Sequence, residues 1–443
     1  MLALKNEKNA RILTLALPII GGMISQNVLN LVDTAMVGHL GTSALAAVGI
    51  GSLVQFMSVA FFTGLASSVQ AIAARRVGEE RMEQAALPLN GAIVFTLAIG
   101  LPFTVLLFFL APWILTLVNQ DTEVLGMAIP YYQARVVGLV AVGLNFAFRG
   151  FWNATNRPSL YMRTLLAMHS VNIILNYVLI YGTFGFPELG AVGAGIASGI
   201  SVFVGTAIYF YLGWSLSREH GFLAGFPRME VYRNLGTLLL PSGTQKFLFA
   251  TGMTVFFSLV GEVGTSEVAI THVLVNLLLT VLLMQMGFGM ASGTLAGQSL
   301  GAKDEDEAKA WAWRVTSLGS VAAVFLSLIL FFIPELVLSP FIDEPHTLNM
   351  AVWPLRIIAL TMPMDGVGMV MMYSLLGVGD AKSVMVITLA TQWLLFLPLV
   401  YLVGPYLGLG LVAIWIVHAL YRVLQALLFV LTWQKGNWAE IRA

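Results

Sequence analysis

The sequence predicts an all-α polytopic membrane protein whose twelve transmembrane helices form two pseudo-symmetric six-helix bundles. Three observations predict it: a composition unable to cover a water-facing surface, twelve apolar stretches of bilayer length, and an internal repeat. Of 443 residues, 58% are hydrophobic and 10% charged, against about 25% charged in a soluble domain. Much of the outer surface must therefore face lipid. The 22 basic and 22 acidic side chains cancel and form no basic stripe, so nucleic acid is not an expected partner. The absence of cysteine excludes disulfides and thiolate metal sites.

A spanning helix needs about 20 mostly apolar residues. Reading from one charged or Pro/Gly-rich break to the next gives spans near 12–37, 44–73, 86–110, 127–150, 159–182, 190–214, 235–260, 267–297, 309–332, 350–376, 383–403 and 408–433. The loops are short, leaving no room for an inserted soluble domain. Residues 1–11 are polar and basic and run straight into the first span, so a removable signal peptide is not expected. Twelve crossings put both termini and every even-numbered connection on one side. That side holds 18 Lys and Arg, from Lys5 through Arg75, Arg157, Arg228 and Lys303 to Arg442. The opposite loops hold none, only His39, His346 and eight acids, Asp343 among them. Positive charge marks the cytoplasmic side, so both termini are expected there, in a cell inner membrane.

The chain reads as two copies of a six-helix unit. LALPIIGG from Leu15 recurs as LLLPSGTQ from Leu238, a shift of 223 that also pairs Pro18 with Pro241, Gly64 with Gly287 and Gly78 with Gly301. Shifts of 221 and 224 pair Arg135 with Arg356 and Asn156 with Asp380. The expected division is an N-terminal bundle at 1–214, a charged linker at 215–234 and a C-terminal bundle at 235–443. Two parallel repeats enclosing a central path are a transporter arrangement.

Polar side chains inside spans are costly in hydrocarbon and call for an explanation. The first span carries Gln26, Asn27, Asn30 and Asp33; Gln26, Asn30 and Asp33 share one helical face. A carboxylate withdrawn from water there can gain and lose a proton near neutral pH; held permanently by neighbouring amides, it is instead a structural Asp at a helix end. The fifth span carries His169, Asn172 and Asn176 at spacings of three and four, a face suited to meet the first span or to serve as interhelical glue. The glycine-rich sixth span offers Ser198. In the second half, Lys246 lies in span seven and Asp365 in span ten. They form a possible second site, paired with each other because buried charges are usually paired. Arg135 and Arg356 read as fold supports or as partners of outer acids. Pro18 and Pro241 interrupt the first helix of each half and supply kink sites. The methionines around Met364 and Met372 suit either an accommodating cavity or plain packing.

Catalysis finds little support. The six histidines are scattered, no HExxH or paired acids lie on a span, and no phosphate-binding loop for ATP is present. The chain reads as no enzyme and needs no cofactor. Energy must come from an ion gradient or a partner.

With LALP…DTAMVGHLGTSALAAVG and its echo LLLP…GEVGTSEVAITH, essentially the whole chain resembles the multidrug and toxic compound extrusion (MATE) family, and the Asp of the first helix looks like its DinF branch. The resemblance implies a V-shaped pair of bundles that expels cationic or amphiphilic drugs in exchange for protons or sodium. In DinF-like members the N-terminal cation site uses a first-helix Asp, an Asn and an Asp four apart on the fifth helix, and a sixth-helix Thr. Asp33, Asn172 and Ser198 match three of these, and Asn176 stands where the second acid would be. The acid of the seventh helix in the sodium-linked NorM branch is replaced by Phe249. One carboxylate suffices for a proton and leaves sodium short of charge compensation, so protons are expected over sodium. The implied cycle holds substrate near Gln26, Asn30, Asn145, Asn172 and Asn176 while Asp33 is ionised. Protonation then bends span one at Pro18 and releases substrate outward. The expected partners are small-molecule drugs and the lipid bilayer, with the chain a monomer. A flippase for lipid-linked sugars, the nearest alternative, would need a basic cavity for pyrophosphate, where this half offers an acid and amides. An intramembrane enzyme lacks its nucleophile and base, and a channel is disfavoured by two asymmetric halves.

Overall fold

The computed structural model describes residues 2–342 and 344–441, with side chains from Asn6 onward. Asp343, Arg442 and the side chain of Lys5, counted above among the loop charges, lie outside the described residues. The regular elements described are all helical. Eleven continuous helices are long and apolar enough to cross a membrane: α1 (Asn6–Gly38), α2 (Thr42–Gly78), α3 (Met82–Val118), α5 (Pro158–Tyr181), α6 (Gly190–Leu216), α7 (Met229–Val263), α8 (Thr265–Gly301), α9 (Glu305–Phe332), α10 (Pro345–Gly377), α11 (Ala381–Tyr406) and α12 (Gly410–Lys435). The twelfth span, α4, is a bent pair, Thr122–Val137 and Leu139–Ala154, at 45°. The expected single helix over 127–150 therefore breaks at Gly138. A Cβ there would press on Val202 of α6 at 2.9 Å, so α6 approaches the bend through the missing side chain.

Helix ends follow local chemistry. Asp121 accepts from the amides of Glu123 and Val124 to open α4, and Asp304 and Asp380 cap α9 and α11 in the same way. Gly182 and Gly436 close α5 and α12 in the left-handed conformation that glycine adopts without a steric penalty.

Hydrogen bonds fix the register of the repeat. Gln133 Nε2 donates to the Phe108 carbonyl at 3.1 Å, and Arg356 Nε donates to the Phe331 carbonyl at 3.3 Å. Both partners shift by 223. The structural counterpart of Arg356 is therefore Gln133, one helical face away from the Arg135 expected by alignment of like residues. Arg356 lies 3.9 Å from Glu335, an outer acid as expected. Asn156 and Gly379, again 223 apart, are both left-handed, with φ of 57° and 95°. Asn156 thus corresponds to Gly379 rather than to Asp380.

Packing divides the chain into two units, residues 1–20 with 244–443, and residues 21–243. The seams fall inside α1 and α7, at positions related by the same shift of 223, two residues beyond Pro18 and Pro241. The division expected at the 215–234 linker follows chain order; packing follows contacts. In the first unit, Lys8 pairs with Glu307 at 2.7 Å, Arg11 donates to Gln298 at 2.9 Å, and Arg314 donates to Asn9 at 3.0 Å. The opening turns of α1 are thereby bound to α8 and α9. In the second unit, Gly243 lies against the ring and carbonyl of Phe61, and Ser242 meets Ser68 at 3.2 Å. The linker belongs to this unit as well: Asn90 Nδ2 donates to the Gly221 carbonyl at 2.8 Å and its oxygen accepts from Leu223 N at 3.0 Å.

Candidate functional site

α1 and α5 run parallel and in register, so side chains 143 residues apart meet in successive rungs. Close approach is possible because α1 has Gly21 and Gly22 at its contact; a Cβ at Gly22 would lie 2.8 Å from the Tyr161 ring. His169 and Gln26 form one rung, Nε2 to Oε1 at 3.2 Å. Asn176 and Asp33 form the next, two turns on, with Asn176 Nδ2 donating to Asp33 Oδ1 at 2.6 Å. Tyr181 closes the ladder by donating to the Met36 carbonyl at 2.9 Å. Asn172 links this ladder to α6. Its Oδ1 accepts from Asn176 Nδ2 at 2.9 Å and its Nδ2 donates to Ser198 Oγ at 3.3 Å; with the amide turned over, its nitrogen instead reaches Asp33 Oδ1 at 2.9 Å and its oxygen the amide and hydroxyl of Ser198 at 3.3 Å each.

Asp33, Asn172, Asn176 and Ser198, expected as one coupling site, are thus brought together. Asp33 is half-buried, while Asn172 and Asn176 are buried. Asn176 Oδ1 is buried without a hydrogen-bond partner, an acceptor of unmet capacity beside the carboxylate. Gln26 extends the polar face by donating to Asn30 Oδ1 at 3.3 Å, and Gln26, Asn27 and Asn30 are exposed. Asn145 goes elsewhere: its nitrogen donates to the Val202 carbonyl at 3.1 Å and its oxygen accepts from Thr206 at 2.8 Å, bracing α4 against α6.

Sequence reasoning missed the α4 side of the site. Arg135 Nη1 donates to Tyr131 Oη at 2.8 Å and to Ser52 Oγ at 3.3 Å, and Tyr131 and Ser52 meet at 2.9 Å. So held, its charge interacts with that of Asp33. The available signal was the i, i+4 spacing of Tyr131 and Arg135 on α4.

The second unit of polar residues departs from expectation. Asp365 pairs with Arg422 of α12, Nε to Oδ1 at 2.6 Å. Lys246, expected as its partner, reaches Tyr373 instead, with Nζ 3.5 Å from the hydroxyl and 5.2 Å from the ring centroid. Lys246 and Asp365 therefore do not form a pair. A guanidinium can hydrogen-bond a carboxylate while buried more readily than a compact, strongly hydrated ammonium.

The MatE family signature matches residues 18–178 and again 241–402, so the two matches begin at Pro18 and Pro241. The chain is 26% identical over 408 residues to a probable multidrug resistance protein NorM of Mannheimia succiniciproducens, covering 89% of this chain and 85% of that one. It is also 26% identical over 407 residues to the multidrug resistance protein MdtK of Yersinia enterocolitica, covering 89% and 87%. A mutant of a Vibrio cholerae MATE transporter has the same fold, with a TM-score of 0.90 at 18% identity over 98% of this chain and 99% of that one. With the signature spanning most of both halves, the chain belongs to the MATE family of membrane transporters.

Proposed function

We propose that this protein exports cationic or amphiphilic small molecules in exchange for protons, with Asp33 as the exchanging group. The observation that carries the reading is the company Asp33 keeps. Its hydrogen-bond donor is the neutral amide of Asn176, with the Asn172 amide beside it, and the charge it feels from α4 is that of Arg135. Amides stabilise a carboxylate and still leave it free to accept a proton. A sodium ion at Asp33 would meet one negative charge with the Arg135 charge set against it, so the arrangement favours a proton. The names of the relatives, multidrug resistance proteins, support the substrate class, and the Asp on α1 supports the DinF-like branch.

The unmet Asn176 oxygen gives the proton something to do. An ionised Asp33 accepts from Asn176 Nδ2. A protonated Asp33 becomes a donor and is matched by a turned Asn176 amide that presents Oδ1. Protonation thereby reverses donor and acceptor in the rung between α1 and α5. Substrate is held beside the exposed Gln26 and Asn30, and α1 bends at Pro18, where the proline removes a backbone hydrogen bond. The asymmetry of Lys and Arg between loops supports cytoplasmic termini and a cell inner membrane, with the chain acting as a monomer. Efflux of a fluorescent organic cation from liposomes under an imposed pH gradient tests the reading. Movement driven by the pH gradient supports it, and movement driven only by sodium overturns it.

A further inference from the structure

The segment joining α6 to α7 presents an apolar patch that the function proposed above does not use. Phe226 is 88% exposed and Met229 79%, both more than Trp214 at the end of α6, at 56%. Leu223 and Ala224 are exposed beside them. Single exposed apolar side chains are ordinary on a water-facing surface; a run of them on a fixed support is not.

The support is fixed from several sides. Phe222 is fully buried, with its ring 5.8 Å from that of Phe148 on α4 and 6.0 Å from that of Phe210 on α6. It fills the space that Gly213 leaves by lacking a side chain. Ala86 N, near the start of α3, donates to the His220 carbonyl at 3.0 Å, and Arg157 Nη1 donates to the Leu216 carbonyl at 3.3 Å. Asn90 adds its two bonds to Gly221 and Leu223. Leu223 is held left-handed, with φ of 50°, a conformation that a residue with a Cβ adopts at a steric cost. The segment is therefore a shaped element tied to the ends of α3, α4 and α6.

Its position indicates what covers it. Ile200, Phe203, Ala207, Tyr211 and Trp214 succeed one another at three or four residues along α6 and are all exposed, so they form one stripe. On a spanning helix an exposed apolar stripe faces lipid. At 27 residues α6 is about 40 Å long, the thickness of a bilayer with its headgroups. Its last turn thus reaches the headgroup level, where Trp is favoured. The stripe continues past the helix end, because Arg218, four residues beyond Trp214, lays its guanidinium 3.9 Å from the Trp214 ring centroid. The exposed Arg228 stands at the other end of the patch. The acids Glu219 and Glu230 adjoin this segment in sequence, so attraction to lipid comes from apolar burial and hydrogen bonds to phosphate rather than from net charge.

We infer that residues 217–229 form an interfacial anchor. Leu223, Phe226 and Met229 enter the headgroup–acyl boundary of the leaflet in which α6 ends, and Arg218 and Arg228 hold lipid phosphates. The bilayer is the occupant because the patch is continuous with the lipid-facing stripe of α6.

The chain has no cysteine, so one introduced thiol carries one nitroxide label. Ala224→Cys keeps all three anchoring side chains, and Glu305→Cys, at the exposed opening of α9, supplies a water-facing reference. Both are reconstituted in phosphatidylcholine vesicles at high lipid-to-protein ratio. Depth is read from power saturation with oxygen, which concentrates in lipid, against a nickel chelate, which stays in water. The label at 224 should lie about 5–10 Å below the water boundary, and adding Phe226→Ser with Met229→Ser should move it out to the reading of the reference. A label at 224 as open to the chelate as the reference overturns the inference. Spectral broadening at 224 that disappears on dilution with unlabelled protein assigns the patch to a second copy and overturns it too. Arg218→Gln with Arg228→Gln should shift the label toward water; an unchanged depth overturns the role given to the arginines. Should the serine variants fail to fold, the depth at 224 with the anchor intact decides. No ion gradient enters the measurement, so its outcome is independent of the proton-exchange reading.

Discussion

Asn176 of α5 donates to Asp33 of α1 at 2.6 Å, and its own amide oxygen is buried with no partner. The position that would bring a second carboxylate to the site brings an amide with a spare acceptor. A protonated Asp33 can use that acceptor, and a metal cation gains nothing in charge from it.

Asn176→Asp should therefore create what the native site lacks. Two carboxylates beside Asn172 and Ser198 offer the charge that sodium needs, so efflux by this variant should become sodium-stimulated by roughly tenfold, about 1.4 kcal/mol of added cation binding. Sodium titration of transport by the purified variant checks it. Indifference to sodium would show that charge compensation is not what selects the ion.

At the shift of 223 the His169 rung has a counterpart in which Gln392 donates to the Phe249 carbonyl at 3.1 Å, so a glutamine can bridge the two helices at this level. His169→Gln should retain the link to Gln26, and His169→Leu should lose it. Efflux by the glutamine variant should exceed that by the leucine variant by several-fold, or about 1 kcal/mol for one hydrogen bond. Equal rates would take this rung out of the mechanism.

The Asp365–Arg422 pair is expected to matter for stability. Either single neutralisation leaves a buried charge alone and should cost roughly 3 kcal/mol, lowering Tm in detergent. The double variant should recover most of that loss. Additive losses in the double would mean that the two charges are not each other's partners.

Gly150 of α4 faces the Ala66 carbonyl of α2 so closely that an added Cβ would press on backbone. Gly150→Ala should cost roughly 2 kcal/mol by forcing the helices apart, measured as a fall in Tm. A variant as stable as wild type would show that this crossing yields easily.

Much of this architecture is legible in the residues. Hydropathy places all twelve spans, because a lipid-facing helix must be apolar over a bilayer's thickness. The α1 and α5 faces meet as their spacing implies, because Gln26, Asn30, Asp33, His169, Asn172 and Asn176 lie on narrow stripes and would be costly against lipid. Other features depend on geometry that spacing does not contain. The repeat aligned Arg135 with Arg356 by residue type, whereas backbone acceptors put Gln133 there. Asp365 had three basic residues in the spans of its half, Lys246, Arg356 and Arg422, and helix positions alone do not say that Arg422 reaches it while Lys246 turns to Tyr373. The bonds of Asn145 to Val202 and Thr206 on α6 are likewise not contained in its position along the span. The seams at Ile20 and Gly243 fall within unbroken helices, where chain order gives no mark beyond the prolines just before them.

The central claim is that Asp33 exchanges a proton for substrate. The most direct measurement is ethidium efflux from liposomes containing purified wild type or Asp33→Asn, driven in turn by a pH gradient and by a sodium gradient. The account predicts efflux under the pH gradient, none under sodium alone, and loss of the pH-driven component by at least about a hundredfold in Asp33→Asn, the equivalent of about 2.7 kcal/mol. Sodium-driven efflux by wild type, or pH-driven efflux undiminished in Asp33→Asn, would contradict it.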